Sequence, residues 1–332
     1  MSRLTALAIA AALTLGTAAC SEGSQASQPL RLGYFPNITH APALVGLEKG
    51  FFTNVQTSTF NAGPAAIEAL FSGAIDATYI GPNPAINAHA KSNGEAIRIV
   101  AGAASGGVAL VVRPGINSAE DLRGKRIATP QLGNTQDVAV RHWLKGKGLT
   151  TTKEGGGDVK IIPQENAQTV ETFGTGAIDG AWVPEPFVSR LVSAGGKILV
   201  DERDLWPGRQ FVIAHLIVRT EFLTRYPEKV KKLIEEHVAV TEFINAKPDE
   251  AQQAVSDHIG KLSGKPLDRK LIQQSWPSLT FLDDPLATSL KVGADHAVEI
   301  GLLEKVDLNG IYDLKLLNEV LRAAGKPEVK GL

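Results

Sequence analysis

The sequence predicts a two-lobed α/β protein with a cleft between the lobes. Three observations carry this. The chain has 332 residues, too many for one ordinary core and about right for two domains. Predicted strands and helices alternate, and the alternation starts over after Pro114. The segment Ser72-Gly73-Ala74-Ile75-Asp76 returns as Thr175-Gly176-Ala177-Ile178-Asp179. Each copy follows a predicted helix and precedes a strand that ends in an aromatic, Tyr79 or Trp182. Proline follows closely in both, as Pro82 and Pro184. Two lobes would then each place an aromatic near the carboxyl end of a parallel strand, where open α/β sheets bind ligands.

In the first half, residues 30–35 read as a strand and 41–52 as a helix, with Pro42 suited to its first turn and Gly50 near its end. A strand at 55–60 and a helix at 65–71 follow, the helix stopped by Ser72-Gly73. Residues 77–80 form a buried strand, 84–91 a helix, and 97–103 and 109–113 strands. This succession implies a mostly parallel sheet with helices on both faces. After Pro114, Ser118 can cap a short helix, with Asp121 at its third position. Strands at 126–129, 159–163, 181–183 and 197–200 alternate with helices at 135–145, 167–173 and 187–193. The Gly/Lys-rich stretch 146–157 reads as a surface loop.

From 214 to 219 an apolar strand leads into a helical tail. Pro227 starts one helix, in which Val230, Leu233, Ile234 and Val238 share a face and Glu228, Lys232, Glu235 and Glu236 share the other. Further helices are expected at 250–258, 286–300 and 314–323. The tail is expected to return to the first lobe and complete it.

The N-terminus reads as an export signal. Arg3 is followed by an apolar run at 4–15, small residues at 16–19 and then Cys20, the one cysteine of the chain. The run is too short for a permanent membrane span. Residues 17–20, Thr-Ala-Ala-Cys, resemble a bacterial lipobox with Thr17 in place of the preferred Leu, so Cys20 is the expected lipidation site. Residues 1–20 are then the signal peptide, and the Ser/Gln/Gly-rich residues 21–29 a flexible tether. The formal net charge of −1 shows neither the basic excess of a nucleic-acid binder nor the acidic excess of a disordered chain. No H-E-x-x-H, G-x-S-x-G or G-x-x-x-x-G-K-[ST] motif occurs, and no enzyme activity, cofactor or metal is expected.

Several segments match a known pattern. They are 30–37 (LRLGYFPN), 40–43 (HAPA), 48–52 (EKGFF), 81–84 (GPNP), 121–128 (DLRGKRIA) and 180–186 (GAWVPEP). Together they resemble the aliphatic sulfonate, taurine and nitrate group of importer binding proteins, to which the pyrimidine-precursor binding proteins are similar. The resemblance covers essentially the whole mature chain. It implies a type II periplasmic-binding-protein fold, with lobe one at 30–113 plus 214–332, lobe two at 114–213, and a hinge where the chain crosses between them. It also implies a monomer that captures a small molecule, most fittingly an aliphatic sulfonate, and delivers it to an ABC permease and its ATPase. Nitrate, taurine and pyrimidine or thiamine precursors remain open. Contact with the membrane is expected through the lipid alone.

A sulfonate stays charged at any working pH, so burying it requires hydrogen-bond donors rather than a proton switch. Helix N-termini supply them. The best candidate is the turn Gln131-Leu132-Gly133-Asn134-Thr135-Gln136. Asn134 or Thr135 can cap the following helix, and Gly133 would let backbone approach closely. Asn37, Thr39 and His40 form the equivalent loop in lobe one. Gly81 and Asn83 start another helix, and Gly107 lies in an expected crossing loop at 105–107. Tyr79 and Trp182 are expected as apolar walls. Glu185 either fixes its loop or faces a cationic or donor group on the ligand.

Overall fold

The computed structural model describes residues 28–332, so the signal run, Cys20 and most of the tether lie outside the described residues. Two sheets organise the described chain. The first is built from β1 (Leu30–Tyr34), β2 (Val55–Thr59), β3 (Ala77–Ile80), β4 (Ile97–Gly106), β10 (Val212–Arg219) and β11 (Leu279–Phe281), in the order β11-β4-β10-β3-β1-β2. The second holds β5 (Val108–Val112), β6 (Arg126–Thr129), β7 (Lys160–Pro163), β8 (Gly180–Pro184) and β9 (Lys197–Asp201), in the order β7-β6-β8-β5-β9.

Apart from the extra edge strand β11, the two sheets repeat one topology. β1 runs parallel to β2 and β3, as β6 does to β7 and β8. Next to each parallel trio lies an antiparallel strand, β10 against β3 and β5 against β8, and a second antiparallel strand follows it. The mostly parallel sheets expected from the alternation are therefore mixed. Each antiparallel strand lies where the chain enters or re-enters its sheet, and it carries no βαβ crossover helix that would force it parallel.

The chain passes from the first sheet to the second between Gly106 and Val108. Residues 109–113, expected in the first lobe, thus belong to the second sheet. Val108–Val112 is buried throughout and pairs with β8 and β9, so an apolar run next to a lobe boundary does not reveal which sheet it will join. The chain returns along 202–211, where two 3₁₀ turns lead into β10.

The helices that position the site follow strand ends. In the first lobe they are α1 (Ala41–Glu48), α2 (Gly63–Phe71) and α3 (Pro82–Lys91). In the second they are α4 (Thr135–Gly146), α5 (Asn166–Thr175) and α6 (Phe187–Ser193). α1 ends earlier than expected, at Glu48, and residues 49–52 are not helical; Gly50 adopts a φ of 74°. The tail contributes α7 (Thr220–Arg225), α8 (Pro227–Ala246), α9 (Pro248–Ser263), α10 (Arg269–Ser275), α11 (Ala287–Glu299) and α12 (Lys315–Ala323). α8 buries Val230, Leu233, Ile234 and Val238 in the core, as its spacing predicts. No described helix is long and apolar enough to cross a membrane.

Candidate functional site

Strand ends from both sheets converge on one small cavity. Its lining takes Phe35, Asn37, Thr39 and His40 after β1, Asn61 after β2 and Gly81 after β3. Facing them are Pro130, Asn134, Thr135 and Gln136 after β6, Asn166 after β7, and Pro184, the last residue of β8. Ile213 of β10 completes the wall. The space is small, about 20 Å³ for the centre of a water-sized group, which suits a compact headgroup rather than a large one. No Asp, Glu, Lys or Arg lines it.

The lobes touch directly around this cavity. The Ile38 N–H donates to the Glu185 carbonyl at 3.1 Å, and Asn61 Nδ2 donates to Glu165 Oε1 at 2.8 Å. This is a closed arrangement, with hydrogen bonds on either flank of the cleft.

The turn before α4 is built to present donors. Asn134 is the N-cap, and its side chain accepts from the Thr135 N–H at 2.9 Å. Asp137, in the first turn of the helix, holds the loop from behind. Its carboxylate accepts from the Gly133 N–H at 3.0 Å and the Thr129 hydroxyl at 3.0 Å, and it pairs with buried Arg141 at 3.1 Å. The remaining first-turn N–H groups have no acceptor within the helix, and the helix dipole makes that end electropositive. Gly133 has a φ of 73°, which is why it is glycine. A Cβ there would meet Asn87 Nδ2 at 3.7 Å, an ordinary contact, so the expected close backbone approach is not its reason.

Two buried polar atoms in this cavity lack any partner in the protein, Thr135 Oγ1 and Asn166 Oδ1. Buried polar groups are almost always hydrogen-bonded, so both atoms are free to take a partner in the cavity, a water or a bound molecule. His40 adds a third group. Its Nδ1 accepts from the Phe35 N–H at 3.3 Å, and its ring stacks on Phe35 at 4.4 Å. That bond assigns the proton to Nε2. Desolvation pushes the His40 pKa down to about 3, so the ring is a neutral donor at any physiological pH.

Seven of the residues expected at the site line this cavity: Asn37, Thr39, His40, Gly81, Asn134, Thr135 and Gln136. Six lie elsewhere. Tyr79 is fully buried and its hydroxyl bonds His237 Nδ1 at 2.8 Å. Trp182 is equally buried and donates from Nε1 to Glu202 at 2.6 Å. Neither is a wall, because strand side chains stand above and below the sheet rather than off its end. Only residues at or past the last pair, such as Gly81 and Pro184, reach the cleft.

Asn83 spends its amide on the Gly293 carbonyl at 3.2 Å. The helix start it belongs to is also poor in donors, since Pro82 and Pro84 carry no N–H. Gly107 sits in the crossing, donating to the Ser278 carbonyl and accepting from the Glu185 N–H, both at 2.8 Å. Gln131 caps its own turn by accepting from the Asn134 N–H at 3.1 Å. Glu185 fixes its loop: its carboxylate takes hydrogen bonds from Ser189 and from Ser275 of α10. Burial raises its pKa despite those bonds. It offers nothing to the cavity.

Asn61 and Asn166 were not among the expected residues. The signal was present, since each follows a predicted strand and precedes a predicted helix, as Asn37 and Asn134 do.

The sequence profile of the NMT1-like family matches residues 23–259. A relative in Brucella abortus, named for a binding role and no ligand, is 28% identical over 242 residues, covering 70% of this chain and 72% of that one. The taurine-binding periplasmic protein of Escherichia coli is 30% identical over 175 residues, 52% of either chain. Among solved structures, the periplasmic nitrate-binding protein NrtA of Synechocystis PCC 6803 superposes with a TM-score of 0.77 at 17% identity, covering 90% of each chain. The fold is thus the two-lobed fold of periplasmic binding proteins, and both of these relatives are named as binding proteins. With the profile covering well over half of its length, this chain belongs to the NMT1-like family.

Proposed function

We propose that this protein is the solute-binding component of an ABC importer and that it captures a small anion, most fittingly a short aliphatic sulfonate. The observation that carries this is the chemistry of the closed cavity. Its polar lining is uncharged, a helix N-terminus points in, and the Thr135 and Asn166 atoms lack partners in the protein. Such a site neutralises an anion with dipoles and N–H groups, without a counter-ion. The similarity to a taurine-binding protein supports a sulfonate headgroup, since taurine is itself a sulfonate. The small volume favours a compact group at the turn before α4.

In this reading the lobes are 28–106 with 212–332, and 108–201. They open and close about the two crossings at 106–108 and 202–211. Cys20 carries the lipid that tethers the exported protein to a bacterial membrane, and a permease with its ATPase receives the ligand. The protein acts as a monomer.

A thermal-shift and calorimetry screen of the mature protein tests this. The ligands are methanesulfonate, longer alkanesulfonates, taurine, nitrate and hydroxymethylpyrimidine. A true ligand at 100 times its dissociation constant stabilises by about 2.7 kcal/mol. Stabilisation by the pyrimidine alone would overturn the anion reading. Mass spectrometry of the membrane-derived protein tests the lipid, which Cys20→Ala should abolish without changing ligand affinity.

A further inference from the structure

Gly81 and Thr135 line the cavity from opposite lobes. Gly81 caps α3 in the first lobe, and Thr135 begins α4 in the second. A Cβ placed on Gly81 would lie 2.6 Å from Thr135 Oγ1. No real contact of that kind is this short, so one of the two sides would have to move. Two further distances matter. The same Cβ would be 3.7 Å from Thr135 Cβ and 3.5 Å from the Ile213 carbonyl, both ordinary contacts. The conflict is therefore with the hydroxyl alone.

Backbone conformation does not demand glycine here. Gly81 has φ −70° and ψ 159°, a region open to every residue. Its bareness serves something across the cleft. Thr135 Oγ1 is one of the two atoms of the cavity left without a partner in the protein.

We propose that Gly81 and Thr135 form the closure stop of the binding site: Gly81 is bare so that the second lobe can close far enough to bring the Thr135 hydroxyl onto the ligand. Gly81 acts through Thr135 as a positioning residue. How far the lobes approach at this point also sets the size of group that fits beneath them. The inference rests on the capture reading above for its ligand, but the contact itself is testable without one.

The test is a double-mutant cycle with two readouts. Gly81→Ala, Thr135→Ala and the double variant are titrated with methanesulfonate, taurine and nitrate. In parallel, paired spin labels on exposed Lys91 and Lys147 report the distance between lobes with and without these probes. Gly81→Ala should weaken binding tenfold or more and shift the label distances to longer values. Its unliganded melting temperature should stay unchanged, because the clash exists only on closure. Thr135→Ala should weaken binding several-fold with closure intact. The double variant should close again and bind no worse than Thr135→Ala, because removing Oγ1 leaves only the ordinary contacts at 3.5 and 3.7 Å. Strictly additive losses, or a Gly81→Ala protein that closes and binds like the parent, would overturn the closure stop. If the parent binds none of the three probes, the anion reading falls. The closed fraction in the unliganded label-distance distributions, lower in Gly81→Ala than in Gly81→Ala/Thr135→Ala, then decides the stop.

Discussion

At their far ends the two lobes are built alike, and at the cleft they differ. The repeated Gly-Ala-Ile-Asp turn explains the first half of that statement. In lobe one the Asp76 N–H donates to the Arg31 carbonyl at 2.8 Å, the Arg31 N–H returns to Asp76 Oδ2 at 3.0 Å, and the Arg219 N–H takes the Asp76 carbonyl at 2.9 Å. In lobe two Asp179 does the same with Arg126 and Arg113, at 2.8, 2.8 and 2.9 Å. Each Asp thus ties the amino ends of two parallel strands to the carboxyl end of the antiparallel strand beside them. The side-chain partners diverge. Asp76 is 2% exposed and pairs with both Arg31 and Arg219. Asp179 has Arg126 alone, at 3.4 Å, because Arg113 turns to the Ile178 carbonyl and the face of Phe173.

At the cleft the difference lies in donors. The first-lobe helices α1, α2 and α3 all carry proline in their first two positions, which removes N–H groups from those helix starts. The second-lobe helices α4 and α5 have none there. In the proposed site the second lobe would therefore supply backbone donors, and the first side chains, chiefly His40 and its loop. One sheet topology can be used twice and still assign the lobes different work.

The largest expected effect tests the far ends. Asp76→Ala should cost about 3 kcal/mol of unfolding free energy, the low end for a broken buried pair because both arginines keep some contact with water. Chemical denaturation measures it. Burial opposes the charged form of Asp76, but the hydrogen bonds from Arg31 and Arg219 override it and hold the pKa below the usual carboxylate range. That contribution is present above the unfolded value and is lost as pH falls below it. Parental stability should therefore decline more steeply under acid than that of Asp76→Ala.

Next comes the donor assignment. Thr135→Asp puts a carboxylate where the ligand's charge must sit, and affinity for an anion should fall about 100-fold or more. The unliganded fold should hold, because Asp is favoured in a helix's first turn. Retained anion affinity would shift the donor role to the Asn37–His40 loop and reverse the comparison.

A smaller effect concerns the place where the lobes meet away from the ligand. His142 of α4 stacks on His296 of α11, centroids 3.5 Å apart, with Glu299 3.4 Å from His142 and Asp295 and Lys145 close by. Burial and then the neighbouring His142 push the His296 pKa down to about 4, and burial lowers that of His142. Neutral rings can stack; two imidazolium rings repel. A depressed histidine keeps its contribution above the ordinary value of about 6.5 and loses it as pH falls toward the folded value. Ligand affinity should therefore drop on the order of tenfold between pH 7 and pH 5. His296→Phe should flatten that profile in calorimetry; an unchanged slope would place the pH sensitivity elsewhere.

The smallest effect closes the comparison. Asp179→Ala should cost only about 0.5–1 kcal/mol, as expected for a partly exposed pair. Equal losses for Asp76→Ala and Asp179→Ala would mean that the second arginine contributes nothing.

Sequence pattern by itself determined the alternation of elements, the doubling of the fold and the turns that form the cleft. These depend on local rules: strand runs, helix starts at Asn134 and Pro82, and a repeated pentapeptide whose Asp closes the same turn twice. The strand-end rule, applied evenly, also reaches Asn61 and Asn166. Tertiary structure alone decided which side chains enter the cavity. Tyr79 and Trp182 sit within strands, and their direction depends on which face of the sheet each position takes and what packs there, His237 for one and Glu202 for the other. Glu185 finds Ser189 four residues on, but its second serine partner, Ser275 of α10, lies ninety residues later. The approach of Gly81 to Thr135 belongs to neither segment, since it exists only when two sheets close on each other.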